Sequence, residues 1–116
     1  MSMKDDAALI RMILVYCSKI DDCIAFFGGD EEDFLASEIY QSSCAFYILQ
    51  IGEIVKSISE GTKKNKDNIN WKGIKGFRNV IVHNYGSVQP DTLWNTIEER
   101  IPELRQACEE ILAELE

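Results

Sequence analysis

The stretch FRNVIVHNYG, residues 77–86, places the only histidine of the chain, His83, between Arg78 and Tyr85. A guanidinium can clamp two phosphate oxygens at once, which a single ammonium cannot do. An imidazole is the side chain best matched to proton transfer near neutral pH. Asn79 precedes His83 by four residues, a spacing that lets the two side chains touch on a helix. There Asn79 could orient the ring or hold a ribose or phosphate oxygen. At about 100° per residue, with Arg78 as the zero, Ile74, Phe77, Ile81 and Tyr85 fall at roughly 260° to 340°. Lys72, Lys75, Arg78, Asn79 and His83 fall between roughly 0° and 140°. One face of this helix is therefore apolar and faces a core, while the other is polar and mostly basic.

Plainer roles are open to the same residues. A histidine in the last turn of a helix can simply cap it, where the free carbonyl ends favour its protonated form. An arginine in an acidic chain can be a surface ion-pair partner, and a tyrosine can pack in a core with its hydroxyl at the rim. Spacing by itself does not decide between these roles and a phosphate site.

The motif must be carried by helices. Ile10, Ile13, Cys17, Ile20, Ile24 and Phe27 recur in steps of three and four, which predicts a first helix with one apolar seam. Gly28 and Gly29 suit its end, and Asp30 suits the N-cap of the next helix. That second helix is expected to run from Glu31 to Glu60, with Gly61 as the stop. It carries two apolar rows: Leu35, Ile39, Phe46 and Leu49, and Cys44, Ile48, Ile51, Val55 and Ile58. Two rows imply a helix covered on two sides, inside a bundle or at a subunit contact. Gln50, Glu53, Ser57 and Glu60 form its polar stripe; Glu53 is either a solvated residue or the partner that orients a base of the motif helix. GTKKNKDNIN, residues 61–70, is a polar connector in which Asn70 can cap a third helix, Trp71 to Tyr85, ended by Gly86. Pro90 and Asp91 can open the last helix. Its seam is Ile97, Ile101, Leu104, Cys108, Ile111 and Leu115, and Pro102 either kinks it or begins a separate final helix. No strand alternation and no internal repeat is visible. The expectation is one all-α domain over residues 1–116, an up-and-down bundle of four to five helices.

Charge is unevenly spread. The chain has a net charge of −8, which alone disfavours nucleic acid. Residues 1–55 carry three bases and ten acids, and residues 84–116 carry two bases and eight acids. Residues 56–83 reverse the balance, with seven bases (Lys56, Lys63, Lys64, Lys66, Lys72, Lys75 and Arg78) against Glu60 and Asp67. A basic segment thus sits inside an acidic chain. Cys17, Cys23, Cys44 and Cys108 show no CxxC or Cys/His cluster, so they are expected to be small buried hydrophobes with no metal bound. No apolar run approaches the ~20 residues needed to span a membrane. The opening MSMKDDAALIRM has acids where a secretory signal needs a basic start. A cytoplasmic protein without membrane contact is expected.

The run Arg78-Asn-Val-Ile-Val-His83-Asn-Tyr85 resembles the R-x4-H-x-Y signature of HepT-like HEPN domains, the DUF86 family. IGE at Ile51–Glu53, Trp71 at the start of the motif helix, Arg78–Asn79, and LWNTI…IPEL near the end fit the same family in order along nearly the whole chain. NINW, where family members often carry a proline before the tryptophan, is a small departure confined to the loop. The resemblance implies a two-fold homodimer that cuts RNA without metal or cofactor, as the toxin of a toxin–antitoxin pair. It assigns catalysis to Arg78 and His83 in a cleft at the dimer interface, with Asn79, Tyr85 and Glu53 in support. Lys72 and Lys75 would steer RNA by charge. The partner implied is a small MNT-type nucleotidyltransferase that silences the toxin by adenylylating Tyr85. The alternative is a non-catalytic subunit of the same fold that binds nucleotide or RNA beside such a transferase. A purely structural dimer is the third reading.

Overall fold

The structure of the chain, a computed structural model, describes residues 3–76 and 90–116, with side chains described from residue 5 onward. Helix α1 (Met3–Phe27) is built on the expected seam: Ile10, Ile13, Cys17 and Ile20 are fully buried, and Ile24 and Phe27 pack against the same core. Each buried isoleucine contributes about 1.5–3 kcal/mol relative to an exposed one. α1 ends where Gly28 takes a φ of 121°, a left-handed conformation that glycine adopts without penalty. A Cβ at that position would also run into the Asp33 carboxylate.

The second expected helix is two helices. A short α2 (Glu31–Leu35) is followed by α3 (Glu38–Ser57). The break has a local cause: Ser37 takes an extended backbone and its hydroxyl accepts a hydrogen bond from the Tyr40 N–H at 3.1 Å. That is an N-cap, which starts a new helix. Asp30 occupies the N-cap position of α2 without a side-chain capping bond. The helix also stops earlier than Glu60, at Ser57, because Ser59 caps a further short helix, α4 (Glu60–Lys64), in which Gly61 is an internal residue. Glu60 therefore leaves the polar stripe of α3. Residues 71–76 form α5, described to residue 76. Asn70 caps it as expected, its Oδ1 accepting from the Gly73 N–H at 2.8 Å.

The C-terminal helical path opens at Pro90 with α6 (Pro90–Asn95), widens into one π-helical segment (Thr96–Arg100) and continues as α7 (Ile101–Leu115). Pro102 falls in the first turn of α7, directly after the wide turn. Proline lacks the N–H that a continuous α-helix would use, and a wide turn of this kind absorbs such a disruption. The final seam is Ile97, Ile101, Leu104, Cys108 and Ile111, all buried, with Leu115 packed at its edge.

Long-range bonds give the topology. Tyr40 at the start of α3 donates to the Gly28 carbonyl at the end of α1 (2.9 Å), while Asp6 at the start of α1 holds Ser59 beyond the end of α3. α1 and α3 are therefore antiparallel. Arg11 pairs with Glu116, and Arg105 reaches Asp21 at 2.8 Å, so α7 also runs antiparallel to α1. Phe27, Phe34, Tyr40 and Trp94 close one end of the bundle with ring centroids 4.8–6.3 Å apart. The described residues form an all-α bundle with no strand.

Candidate functional site

Of the residues assigned to the site from sequence, Arg78, Asn79, His83 and Tyr85 lie outside the described residues, as do the expected end of the motif helix at Gly86 and the residues between. The structure describes what leads into them. Trp71 opens α5 and is buried; its indole Nε1 donates to the Lys66 carbonyl at 3.0 Å, which ties the helix start to the connector. Gly73 lets Asn70 fold against α5, since a Cβ there would approach the Asn70 side chain to 2.5 Å. Lys72 and Lys75 are exposed on α5, six and three residues before Arg78 respectively, and among the described residues neither meets a carboxylate.

Glu53 is half-buried on α3, with Gln50 and Ser57 as neighbours on the same stripe. The Lys56 ammonium approaches it at 3.6 Å. The two expected apolar rows have different surroundings, although Leu49 packs against the core with the Cys44 row and Leu35 belongs to α2. Cys44, Ile48, Ile51 and Val55 are buried, and Ile58 just beyond the helix with them. Ile39 and Phe46 of the other row are 69% and 52% exposed. On α1, Met12 and Val15 are exposed as well. Tyr16 joins the two surfaces, its ring 6.1 Å from that of Tyr47, which lies 5.8 Å from Phe46.

One polar group was not anticipated. Asp6 is fully buried on the core side of α1. Its carboxylate accepts from the Ser59 N–H (3.1 Å), the Ser59 hydroxyl (2.5 Å) and the Thr62 hydroxyl (2.6 Å). Burial pushes its pKa up, but the hydrogen bonds from Ser59 and Thr62 together outweigh burial and leave it below the ordinary aspartate value. The sequence held a signal for this: Asp6 falls on the same seam as Ile10, Ile13 and Cys17, and a carboxylate on an apolar seam needs donors. The network fixes α4, and with it the basic connector, to the N-terminal end of α1.

The four cysteines are free thiols, three of them buried. Burial raises Cys17 to about 11 and Cys44 and Cys108 to about 12. They are packing residues, as expected from their scatter. Among the described residues, no three of His, Cys, Asp and Glu come together as a metal-binding group, and no helix is long and apolar enough to cross a membrane.

The described residues thus form an antiparallel all-α bundle in an acidic chain, and a basic stretch of that chain leads in sequence into the Arg78–His83–Tyr85 motif. Residues 13–111 match the family described as "Ribonuclease HepT-like". The chain is 31% identical to "Putative RNase MJ0125" of Methanocaldococcus jannaschii over all of its own length and 98% of the relative's. It is 29% identical to "Putative RNase TTE0752" of Caldanaerobacter subterraneus subsp. tengcongensis, covering 95% of this chain and 96% of that one. "Probable ribonuclease HepT" of Thermococcus cleftensis is 31% identical over 69% of this chain and 73% of its own. No solved structure gives a significant match. The chain belongs to the HepT-like family of the HEPN superfamily, as the R-x4-H-x-Y motif led one to expect.

Proposed function

We propose that this protein is a metal-independent endoribonuclease, the toxin of a HEPN/MNT-type pair, acting at a cleft that two copies of the chain form together. The observation that carries the reading is the family match across residues 13–111, joined to the presence of Arg78, His83 and Tyr85 in one motif. Three of its relatives are named as ribonucleases.

In the proposed reaction the ribose 2′-oxygen attacks the adjacent phosphorus and the bond to the 5′-oxygen breaks. The products are a 2′,3′-cyclic phosphate and a free 5′-hydroxyl. One group must take the 2′-hydroxyl proton and another must give a proton to the departing 5′-oxygen. A single imidazole cannot conveniently do both in one pass. Two-fold pairing supplies two copies of His83, one for each proton, and two copies of Arg78 to steady the charged phosphorane. Asn79 orients the imidazole, and Glu53 holds a base of the motif helix. Lys72 and Lys75 draw the RNA in. Support for the pairing comes from the outward apolar surface of Ile39, Phe46, Met12 and Val15, which a lone chain leaves in water.

Regulation follows from Tyr85. Its phenolic oxygen attacks the α-phosphorus of ATP on an MNT-type nucleotidyltransferase, and pyrophosphate leaves. On the helical wheel drawn from the sequence Tyr85 falls nearly in line with Arg78, so the new phosphate would occupy the guanidinium that the substrate phosphate needs. Mass spectrometry of the chain after incubation with the cognate transferase and ATP should find AMP on Tyr85; full neutralisation with Tyr85 unmodified would remove this part of the account. The activity itself is tested by end-group analysis of RNA cut in EDTA. Cyclic phosphate ends are expected. A strict requirement for a divalent cation, or 5′-phosphate products, would overturn the chemistry. RNA binding without any cleavage would favour the non-catalytic subunit instead.

A further inference from the structure

Between α4, the connector and α5 lies an open groove of about 730 Å³. Its lining includes Lys63 and Lys64 of α4, Lys72 and Lys75 of α5, and the buried side chains of Ile69 and Trp71. Only two carboxylates, Glu60 and Asp67, share that lining. The groove is held rigidly: Trp71 is bonded to the Lys66 carbonyl, and α4 is tied to α1 through Asp6. The lysines of the region divide by what they face. Lys66 points away, to Glu110 and Glu114 at 3.5 and 3.2 Å, and serves the packing of α7. The Lys63 side chain is 14% exposed and its ammonium lies 3.7 Å from the Glu60 carboxylate, whose side chain is 84% exposed; that separation is longer than a hydrogen bond and leaves the ammonium able to take a phosphate oxygen instead. Lys64, like Lys72 and Lys75, meets no carboxylate among the described residues.

We infer that this groove is a binding track for the phosphodiester backbone of single-stranded RNA, with Lys63 and Lys64 as phosphate contacts beyond the cutting site. The inference rests on the ribonuclease reading and gives it a substrate path. Arg78 follows Lys75 by three residues in the sequence, so a strand lying along Lys72 and Lys75 is held by the stretch of chain that leads into the motif. In a chain of net charge −8, most of the surface repels RNA, and a local basic groove sets where the strand can lie. Lysine contacts of this kind position the backbone and carry no base preference.

The test uses the full chain, a fluorescent 2′-O-methyl oligouridine that lacks the nucleophilic hydroxyl, and anisotropy titrations at several salt concentrations. Each single-strand phosphate contact contributes about 0.7 to the slope of log affinity against log salt. The double variant Lys63→Gln/Lys64→Gln, which keeps most of each side chain's length, should lower the slope by about 1.4. Between about 50 and 200 mM salt, its affinity should fall roughly sevenfold less than that of the wild type. On cleavable RNA its KM should rise while kcat stays within about twofold, since the contacts are not at the reacting atoms. Lys19→Gln, on exposed α1, should bind as the wild type does, and the melting temperature of each variant reports whether it is folded. A folded double variant with wild-type affinity and slope overturns the track and leaves the ribonuclease reading intact. Wild-type protein that neither binds nor cuts RNA overturns both. Polyglutamate that binds as tightly as the oligonucleotide, and loses affinity equally in the double variant, reassigns the groove to an acidic protein and also overturns the inference.

Discussion

Asp6 offers the sharpest test of how the structure is held together. Its carboxylate is buried and takes three donors from a segment more than fifty residues away. In Asp6→Ala the two hydroxyls can still pair with each other, because Ser59 Oγ and Thr62 Oγ1 are already 3.2 Å apart. The Ser59 N–H cannot be rescued in that way and becomes a partly buried, unpaired donor, a cost of about 1–3 kcal/mol. Hydrogen bonds to a charged acceptor contribute about 1.5–3 kcal/mol each, but they are shared here and do not add fully. The expected loss is therefore about 3 kcal/mol, a large part of the ~5–15 kcal/mol of a typical domain. For a chain of this size it corresponds to roughly 10–15 °C in melting temperature. Asp6→Asn keeps an acceptor for the N–H and should lose only about 1–2 kcal/mol. The pH dependence has a definite sign. A carboxylate held below its unfolded value of about 3.9 stabilises the fold above that pH, and the contribution disappears as pH falls through the folded value. The gap in stability between wild type and Asp6→Asn should thus be full near neutral pH and shrink below about pH 4. Urea melts of the three proteins from pH 7 to pH 3 make the measurement. A loss under about 0.5 kcal/mol for Asp6→Ala, or a gap that widens in acid, would refute the reasoning.

Three further outcomes follow from residues on the page. Gly28→Ala, at a φ of 121° and against Asp33, should destabilise by about 1–3 kcal/mol in a thermal melt; an unchanged melting temperature would mean that the α1–α2 corner is built otherwise. Iodoacetamide at pH 8 should reach half-buried Cys23 first and leave Cys17, Cys44 and Cys108 unmodified until the chain unfolds, because burial raises all four thiols but only these three are also closed to the reagent. Ile39→Asp and Phe46→Asp should change the stability of the single chain by no more than about 0.5 kcal/mol, since both side chains are exposed there, yet convert a dimer into a monomer in light scattering and abolish cleavage with it. Dimers that persist in both variants would move the proposed interface elsewhere.

What could be read from the sequence depended on how local the cause was. The seams of α1 and α7 were legible because large apolar residues recur at helical spacing without interruption, and the Asn70 cap because its partner is three residues away. The break at Ser37 was hidden by apolar rows that run straight across it, so that one short cap outweighed thirty residues of pattern. Gly61 misled in the other direction: the turn is made by Ser59, and the glycine is tolerated inside α4. The Asp6 network joins residues 53 and 56 positions apart, a separation at which no spacing rule operates. At the candidate site, the family motif singled out Arg78, His83 and Tyr85, which lie outside the described residues. The groove lined by α4, the connector and α5 was not legible in the sequence, because it depends on α4 lying next to α5.

The central claim is that His83 moves protons in RNA cleavage. The direct measurement compares the rates at which the wild-type chain and His83→Ala cut a single-stranded RNA in EDTA, with melting temperatures and dimer mass taken on the same samples. Loss of one proton-transfer group predicts a fall of about 10²–10⁴-fold at unchanged fold and assembly. Equal rates in the two proteins would contradict the account.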